Sequence, residues 1–368
     1  MKSARFFTEI LYFHTVVNKS DSSKGTIIRY ESEMALHFRE LLPEDPDLRW
    51  HPPKGDFRKP LDLVEVEFDN RRIAFRPIYE LKPSLPWVEQ LGTSPTTPPP
   101  LIVTPELSPR IVTACKANGI SAIDLNGRVY LRAPGLLVDR RPLPGRSFRY
   151  ELEPRNIFTG KSARIIRCLL TDRDRTWTQA EIVPRTKAST GLVSRIVQHL
   201  ISQGFAQKIT ARGFQLHDWQ NLLDEWLECD HFTKRTRTTA YAGFFGQPQE
   251  LAHRLQQWAD AERVPLAFTQ WTAAWARRPY TEPAVCSAYV DQLPDAATLD
   301  QLGLRPVTEG GKLWLHVPDD AGILAETQMR SGLTLVTDAQ IYLDLKRTGL
   351  RGPEAASALR EWDGFCRP

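Results

Sequence analysis

Thr178-Gln-Ala-Glu-Ile-Val-Pro-Arg-Thr-Lys-Ala-Ser-Thr-Gly-Leu-Val-Ser-Arg-Ile-Val-Gln-His-Leu-Ile-Ser-Gln-Gly204 decides how this chain is read. Thr178 and Glu181 have the spacing of a capping box, in which the hydroxyl satisfies an orphan N–H and the carboxylate reaches back. They open a short helix that Pro184 stops or kinks, because proline lacks the ladder N–H. Ser189 or Thr190 then caps a second helix. Its apolar pairs Leu192/Val193, Ile196/Val197 and Leu200/Ile201 repeat at the spacing of a core-facing stripe, and Gly204 suits the C-terminal cap.

Outward from this stretch the pattern continues. Upstream, Lys161–Leu170 carries Ile165, Ile166, Leu169 and Leu170 at helical spacing, which leaves Arg164 and Arg167 for the outside. Downstream, Phe205–Leu216 gives two short alternating runs around Arg212-Gly213, the pattern of a β-hairpin wing. Three helices and a wing predict a winged helix-turn-helix. Charge agrees with a nucleic-acid partner: Arg155–Arg212 holds eleven Lys/Arg against three Asp/Glu, a net +8, in a chain whose total is only +4. A local basic excess in an otherwise mildly acidic protein is the footprint expected for a phosphate backbone. Thr190, Ser194, Arg195 and Gln198 lie opposite the apolar stripe and are donor types that reach base edges. Lys161, Arg164, Lys208 and Arg212 complete the predicted contact set with double-stranded DNA.

The flanks read as α/β chain. Glu31–Leu42 is helical in pattern, ended by Pro43–Pro46. Pro60–Lys82 alternates, with Val64, Val66 and Phe68 facing one way, Asp69-Asn70-Arg71 turning, and Ile73–Lys82 returning. Thr93–Pro100 is a Pro/Thr loop. Leu101–Thr104, Ser121–Leu125 and Arg128–Arg132 read as strands around a Ser108–Asn118 helix. Beyond residue 235 come an amphipathic helix (Leu251, Leu255, Trp258), strands at Val285–Val290 and Lys312–Val317 joined to neighbours through a Gly310-Gly311 hairpin turn, and helices at Asp338–Lys346 and Gly352–Trp362. Three domains are expected: 1–150, 151–217 and 218–368.

A second chemistry is conceivable in the first domain. Asp62, at the end of one strand, and Glu80-x-Lys82 on the next match the needs of a Mg²⁺-dependent nuclease. Both carboxylates would hold the ion, and Lys82, on the strand face of Glu80, would polarise water. The same residues also read as ordinary surface charges on a hairpin. Other clusters carry less. Asp344 and Glu354 read as solvated carboxylates of amphipathic helices, Trp271/Trp275 as core, and His199 and His217 lack partners at ligand spacing. Cys115, Cys168, Cys229, Cys286 and Cys366 are over fifty residues apart, which argues against a metal site or disulfide framework and for reduced cytoplasmic thiols. No run reaches the ~18 apolar residues of a membrane span. Glu9 and His14 break the stretch a signal peptide would need.

Several segments together resemble the AbiEi-type antitoxins. They are Leu101-Ile-Val-Thr-Pro-Glu-Leu-Ser-Pro-Arg, Asn118-Gly-Ile-Ser-Ala-Ile-Asp-Leu-Asn-Gly-Arg-Val-Tyr-Leu, Lys161-Ser-Ala-Arg, Thr190-Gly-Leu-Val-Ser-Arg-Ile, Leu335-Val-Thr-Asp-Ala-Gln-Ile-Tyr-Leu-Asp-Leu and Arg351-Gly-Pro-Glu-Ala-Ala. The similarity spans residues 60–365 and is most specific over 101–205. It implies an α/β multidomain protein with a restriction-endonuclease-like N-terminal domain, a central winged helix-turn-helix and a C-terminal α/β domain. The function it implies is a transcriptional regulator, the antitoxin and autorepressor of a type IV pair. A cognate nucleotidyltransferase toxin or another neighbouring-gene product and a second copy of the chain are then the candidate partners, and no cofactor is expected. Pro184 and the Thr93–Pro100 insertion depart from the family pattern. The competing readings are a Mg²⁺-dependent endonuclease delivered by its winged helix, through Asp62, Glu80 and Lys82, and a protein-interaction platform.

Overall fold

The computed structural model describes residues 26–42, 48–51, 60–68, 71–93, 96–151, 156–243, 246–349 and 351–368. The expectations for Glu9 and His14, Pro43–Pro46, Asp69-Asn70, Ser94-Pro95 and Arg155 lie outside them. The chain is a mixed α/β protein with two compact units, Met1–Glu153 and Pro154–Pro368.

The first unit contains β1 (Thr26–Ile28), α1 (Glu31–Leu41), β2 (Arg49–His51), β3 (Val64–Phe68), β4 (Arg71–Tyr79), α2 (Leu85–Gly92), β5 (Pro100–Thr104), α3 (Pro109–Asn118), β6 (Ser121–Asp124), β7 (Val129–Ala133), β8 (Leu136–Arg140) and β9 (Phe148–Tyr150). Strands β2 to β8 form one sheet in sequence order. β3 and β4 pair antiparallel, whereas β4, β5 and β6 run parallel. The parallel strands need apolar residues on both faces, which is why Leu101-Ile-Val103 is unbroken. Leu101 and Val103 face a cluster with Met34, Phe38 and Leu41 of α1. Ile102 and Ala122 face Val88 of α2 and Ile111, Val112 and Cys115 of α3. Helix α3 starts where it does because Ser108 Oγ accepts from Ile111 N at 3.3 Å, and it stops at Gly119, whose φ of 66° favours glycine. Val64 and Val66 are buried as the alternation requires, but Phe68 is 41% exposed at the strand end.

The second unit begins with α4 (Gly160–Leu169), β10 (Trp177–Thr178), α5 (Gln179–Thr186), α6 (Thr190–Ser202), β11 (Ala206–Lys208) and β12 (Gly213–Leu216). Three helices pack on a small antiparallel sheet of order β10-β12-β11. Pro184 does not interrupt α5: the helix runs to Thr186 and ends where Lys187 takes a left-handed conformation (φ 52°). In α6, Val193, Ile196, Val197 and Leu200 are buried, at about 1.5–3 kcal/mol for each large side chain. That burial outweighs the modest helix propensity of β-branched residues.

The chain continues through α7 (Trp219–Cys229), α8 (Phe232–Arg235), β13 (Thr236–Gly243), α9 (Pro248–Glu262), β14 (Leu266–Phe268), α10 (Gln270–Arg277), β15 (Cys286–Val290), α11 (Ala296–Leu302), β16 (Leu304–Val307), β17 (Leu313–Pro318), β18 (Thr327–Arg330), β19 (Leu333–Val336), α12 (Asp338–Lys346) and α13 (Gly352–Arg360). The strands build a second seven-stranded sheet, β16-β13-β17-β15-β14-β19-β18. The expected hairpin turn at Gly310-Gly311 is instead a crossover, since β16 and β17 lie on opposite sides of β13. A side chain at Gly311 would meet the Tyr241 backbone at 3.1 Å, so only glycine passes there. The segment expected as a separate domain at 151–217 lies in the same compact unit as residues 218–368. Ile165, Ile196 and Leu200 belong to one buried cluster with Leu315, Leu335 and Ile341.

Candidate nucleic-acid interface

Helix α6 is fixed at its start by Ser189, whose Oγ accepts from Leu192 N at 3.3 Å. Ahead of α5, Glu181 receives both the Thr178 N–H (2.8 Å) and the Thr178 hydroxyl (2.7 Å), and these bonds lower its pKa to about 2. With the stripe of α6 buried, Thr190, Arg195 and Gln198 are exposed and Ser194 is half-buried. On the hairpin, Lys208 and Arg212 are exposed. Its tip is held by Ile209 N and Thr210 N donating to the Gly213 carbonyl at 2.9 and 3.1 Å, and by Gly213 N donating to Thr210 Oγ1 at 2.8 Å. Among the described residues, the side chains of Lys161, Lys187, Arg195, Lys208 and Arg212 make no hydrogen bond or ion pair.

Of the segment's other described arginines, Arg164, Arg167, Arg175 and Arg185 are occupied, which corrects the charge count. Arg164, expected to face solvent and phosphate, is held by Asp320 through Nε at 2.9 and 3.0 Å and also through Nη2. Arg167, also expected outside, is 4% exposed. Its Nε donates to Gln340 Oε1 at 3.2 Å, and its guanidinium lies 5.7 Å from the Trp226 ring centroid. Burial lowers its pKa to about 10. The helical spacing alone could not tell which of these positions a later part of the chain would cover. Arg185 pairs with Glu326, Arg175 with Glu181, and Arg173 stacks on Trp219 at 4.6 Å. Arg175 and Arg185 also flank the fully buried Trp177, 4.5 and 5.1 Å from its ring.

In the first unit the fold brings Asp62 and Glu80 into the same neighbourhood. Leu61 N donates to Tyr79 Oη at 3.0 Å, tying the approach to β3 to the end of β4. Burial pushes the Tyr79 phenol up to about 12. Asp62 is exposed, and Glu80 Oε1 accepts from the Lys82 N–H at 3.1 Å. Other acids of this unit are engaged elsewhere: Glu65 faces Arg72 at 3.7 Å, Glu67 meets His51 at 2.8 Å and Arg49 at 3.7 Å, and the buried Asp124 at the end of β6 accepts from Leu107 N at 3.0 Å and Arg128 N at 2.9 Å. Among the described residues, no three His, Cys, Asp or Glu side chains gather as a metal site would require.

A third constellation was not expected. Asp344 is not a solvated carboxylate: it is fully buried and accepts four bonds, from Arg235 Nη2 (2.6 Å), Thr269 Oγ1 (2.5 Å), Gln340 Nε2 (2.8 Å) and Tyr289 Oη (3.0 Å). Arg235 also holds Asp230 through Nε at 2.7 Å and Nη2 at 3.1 Å. Beside them His316 is 1% exposed, with Nδ1 2.8 Å from Thr238 Oγ1. Burial, aided by Arg235, lowers its pKa to about 3. No local signal marked Asp344: it shares one side of α12 with Gln340, the face that periodicity assigns to solvent, and both are buried.

Among the described residues, no helix is long and apolar enough to cross a membrane. No protein-family model, curated protein or solved structure matches this chain.

Proposed function

We propose that this protein is a winged-helix regulator that binds duplex DNA sequence-specifically, reads bases through α6 and holds the backbone through its wing. The order of α4, β10, α5, α6 and the β11–β12 hairpin is that of a winged helix-turn-helix. The observation that carries the reading is the outward face of α6. Thr190, Ser194, Arg195 and Gln198 lie opposite the buried stripe, and the exposed cations Lys161, Lys187, Lys208 and Arg212 are left without partners among the described residues. Donor-rich side chains specify sequence, and loosely held cations position the backbone. The resemblance to AbiEi-type antitoxins supports an autorepressor role in a type IV toxin–antitoxin pair. The test is fluorescence anisotropy with a duplex from the region upstream of its own coding sequence against a shuffled duplex of equal length. Tight binding to the first and at least tenfold weaker binding to the second is expected. Equal affinity for both sinks the regulator reading.

A Mg²⁺-dependent nuclease is the second reading, favoured by one bond, Leu61 N to Tyr79 Oη, which brings Asp62 beside the Glu80–Lys82 strand end. Asp62 and Glu80 would hold the ion and Lys82 would stabilise developing charge. The engagement of Glu65 and Glu67 by Arg72, His51 and Arg49, and of Asp124 by the Leu107 and Arg128 N–H groups, weighs against it, because a magnesium site needs a further anchor.

A further inference from the structure

We infer that a groove in the second unit, between α7, α12 and α13, binds a phosphate monoester of nucleotide size. The groove has a volume of about 410 Å³ and is walled by Arg173, Trp219, Tyr342, Lys346, Ser357 and Arg360. Three cations thus converge on one concavity, and they differ in how their charge is met. Arg360 is neutralised: it grips both carboxylate oxygens of Asp224, at 2.5 and 2.9 Å, and donates to Tyr342 Oη at 3.1 Å. Among the described residues, Arg173 and Lys346 have no carboxylate partner. Arg173 lies flat on the Trp219 indole, and its only side-chain hydrogen bond runs to the Asp363 carbonyl at 3.2 Å. The Lys346 ammonium sits over the Tyr342 ring at 5.5 Å and spends one of its three donors on Ser357 Oγ at 2.9 Å. Glu361 and Asp363 also border the groove, but their carboxylates are exposed and bond neither cation.

Both free cations are half-buried and already oriented, one by stacking and one by a hydroxyl. Little side-chain entropy remains to be lost when an anion arrives. Arg173 and Lys346 present their charges against the low-dielectric faces of Trp219 and Tyr342, while the exposed Glu361 and Asp363 carboxylates bring opposite charge to the same groove. A planar guanidinium and an ammonium with two unused donors match the several acceptor oxygens of a phosphate better than the two of a carboxylate, while the Ser357 hydroxyl spends its own proton on the Pro353 carbonyl at 3.0 Å. The volume exceeds what a bare phosphate fills, which leaves room for the group that carries it.

The test is calorimetric titration of the full-length protein with inorganic phosphate and with adenosine monophosphate. Saturable binding is expected for both, tighter for the monoester. Lys346→Ala should weaken it roughly tenfold or more, as loss of one charge-assisted hydrogen bond implies, and Lys346→Arg should restore most of it. Arg173→Ala should act like Lys346→Ala, with the thermal midpoint monitored to exclude unfolding. No saturable binding of either ligand, or affinity unchanged in folded Lys346→Ala and Arg173→Ala, overturns the assignment. Phosphate binding as tight as the monoester overturns its size. If these variants instead lose duplex affinity as steeply as monoester affinity, the groove serves the DNA backbone and the small-molecule assignment fails. Loss of duplex binding by the wild type leaves this test intact, since the groove shares none of the α6 or wing residues.

Discussion

Arg185, in the last turn of α5, and Glu326, at the entry to β18, form a two-pronged ion pair with Nε at 3.1 Å and Nη2 at 2.5 Å. The same loop sends Asp320 to Arg164 on α4. The connection between β17 and β18 therefore grips two helices of the proposed reading module. Arg185 is more than a third exposed and Glu326 much less, so the pair is worth more than an open surface contact and less than a buried one. Glu326→Gln is expected to lower stability by about 1 kcal/mol, read as a smaller urea midpoint at unchanged slope. An unchanged midpoint shows that the grip contributes nothing.

The salt dependence of duplex binding separates charge that is counted from charge that is free. All eleven basic residues of the segment could neutralise phosphates if the sequence count were the guide. The five without partners allow a slope of log K against log salt no steeper than about −4.5. Lys208→Ala or Arg212→Ala should each make it shallower by about one unit. Arg164→Ala should leave the slope alone and lower stability. A slope near −8, or a loss at Arg164 equal to that at Arg212, contradicts this division.

His316 makes stability depend on pH. In the folded protein its pKa is lowered to about 3, whereas in the unfolded chain it is ordinary, about 6.5. Between those values the unfolded state binds the extra proton. The stabilisation is therefore full above about pH 6.5 and is lost as pH falls toward 3, by up to roughly 1.4 kcal/mol per pH unit. Unfolding free energies of wild type and His316→Asn, measured from pH 7 to 4, should converge as pH falls. Parallel curves would mean that His316 is not buried in its neutral form.

Asp344→Ala removes the acceptor of four hydrogen bonds and leaves Asp230 as the one carboxylate on Arg235 among the described residues. A loss of about 3 kcal/mol is expected, with Asp344→Asn less harmful because it keeps part of the bonding. Near-neutral unfolding data for Asp344→Ala would return Asp344 to the solvated role that its place in an amphipathic-looking helix suggests.

How far the sequence could be read follows from range. The helices and strands around Ser108, Thr178, Ser189 and Gly119 were legible because caps, alternation and apolar stripes are local. Arg164, Arg167 and Asp344 were not, because their fates depend on Asp320, Gln340 and Arg235, between 109 and 173 residues away. Periodicity says which face of a helix is apolar, but not whether a distant segment will cover the other face. The Gly310-Gly311 crossover was misread for the same reason: glycines mark a sharp backbone, and only the sheet order shows that it steps over β13. At the candidate interface, Thr190, Arg195, Gln198, Lys208 and Arg212 were legible as exposed groups because nothing distant claims them.

For Asp62, Glu80 and Lys82, no cleavage is expected when purified protein meets supercoiled plasmid with Mg²⁺ or Mn²⁺. The reason is that, among the described residues, no three metal-ligating side chains gather there, with Glu65 and Glu67 held by Arg72, His51 and Arg49 and Asp124 by backbone N–H groups, whereas a magnesium site needs a further anchor. Reproducible nicking by wild type that disappears in Glu80→Ala promotes the nuclease.

The most direct measurement is duplex affinity for wild type and Arg195→Ala across a set of operators, each changed at one base pair. Arg195 is exposed on α6 and bound to nothing among the described residues, so its removal should not disturb the fold. The expected result is a loss of about 1–3 kcal/mol on the intact operator and a flattened preference at one position only. Equal affinity of wild type and variant for every duplex would contradict base reading by α6.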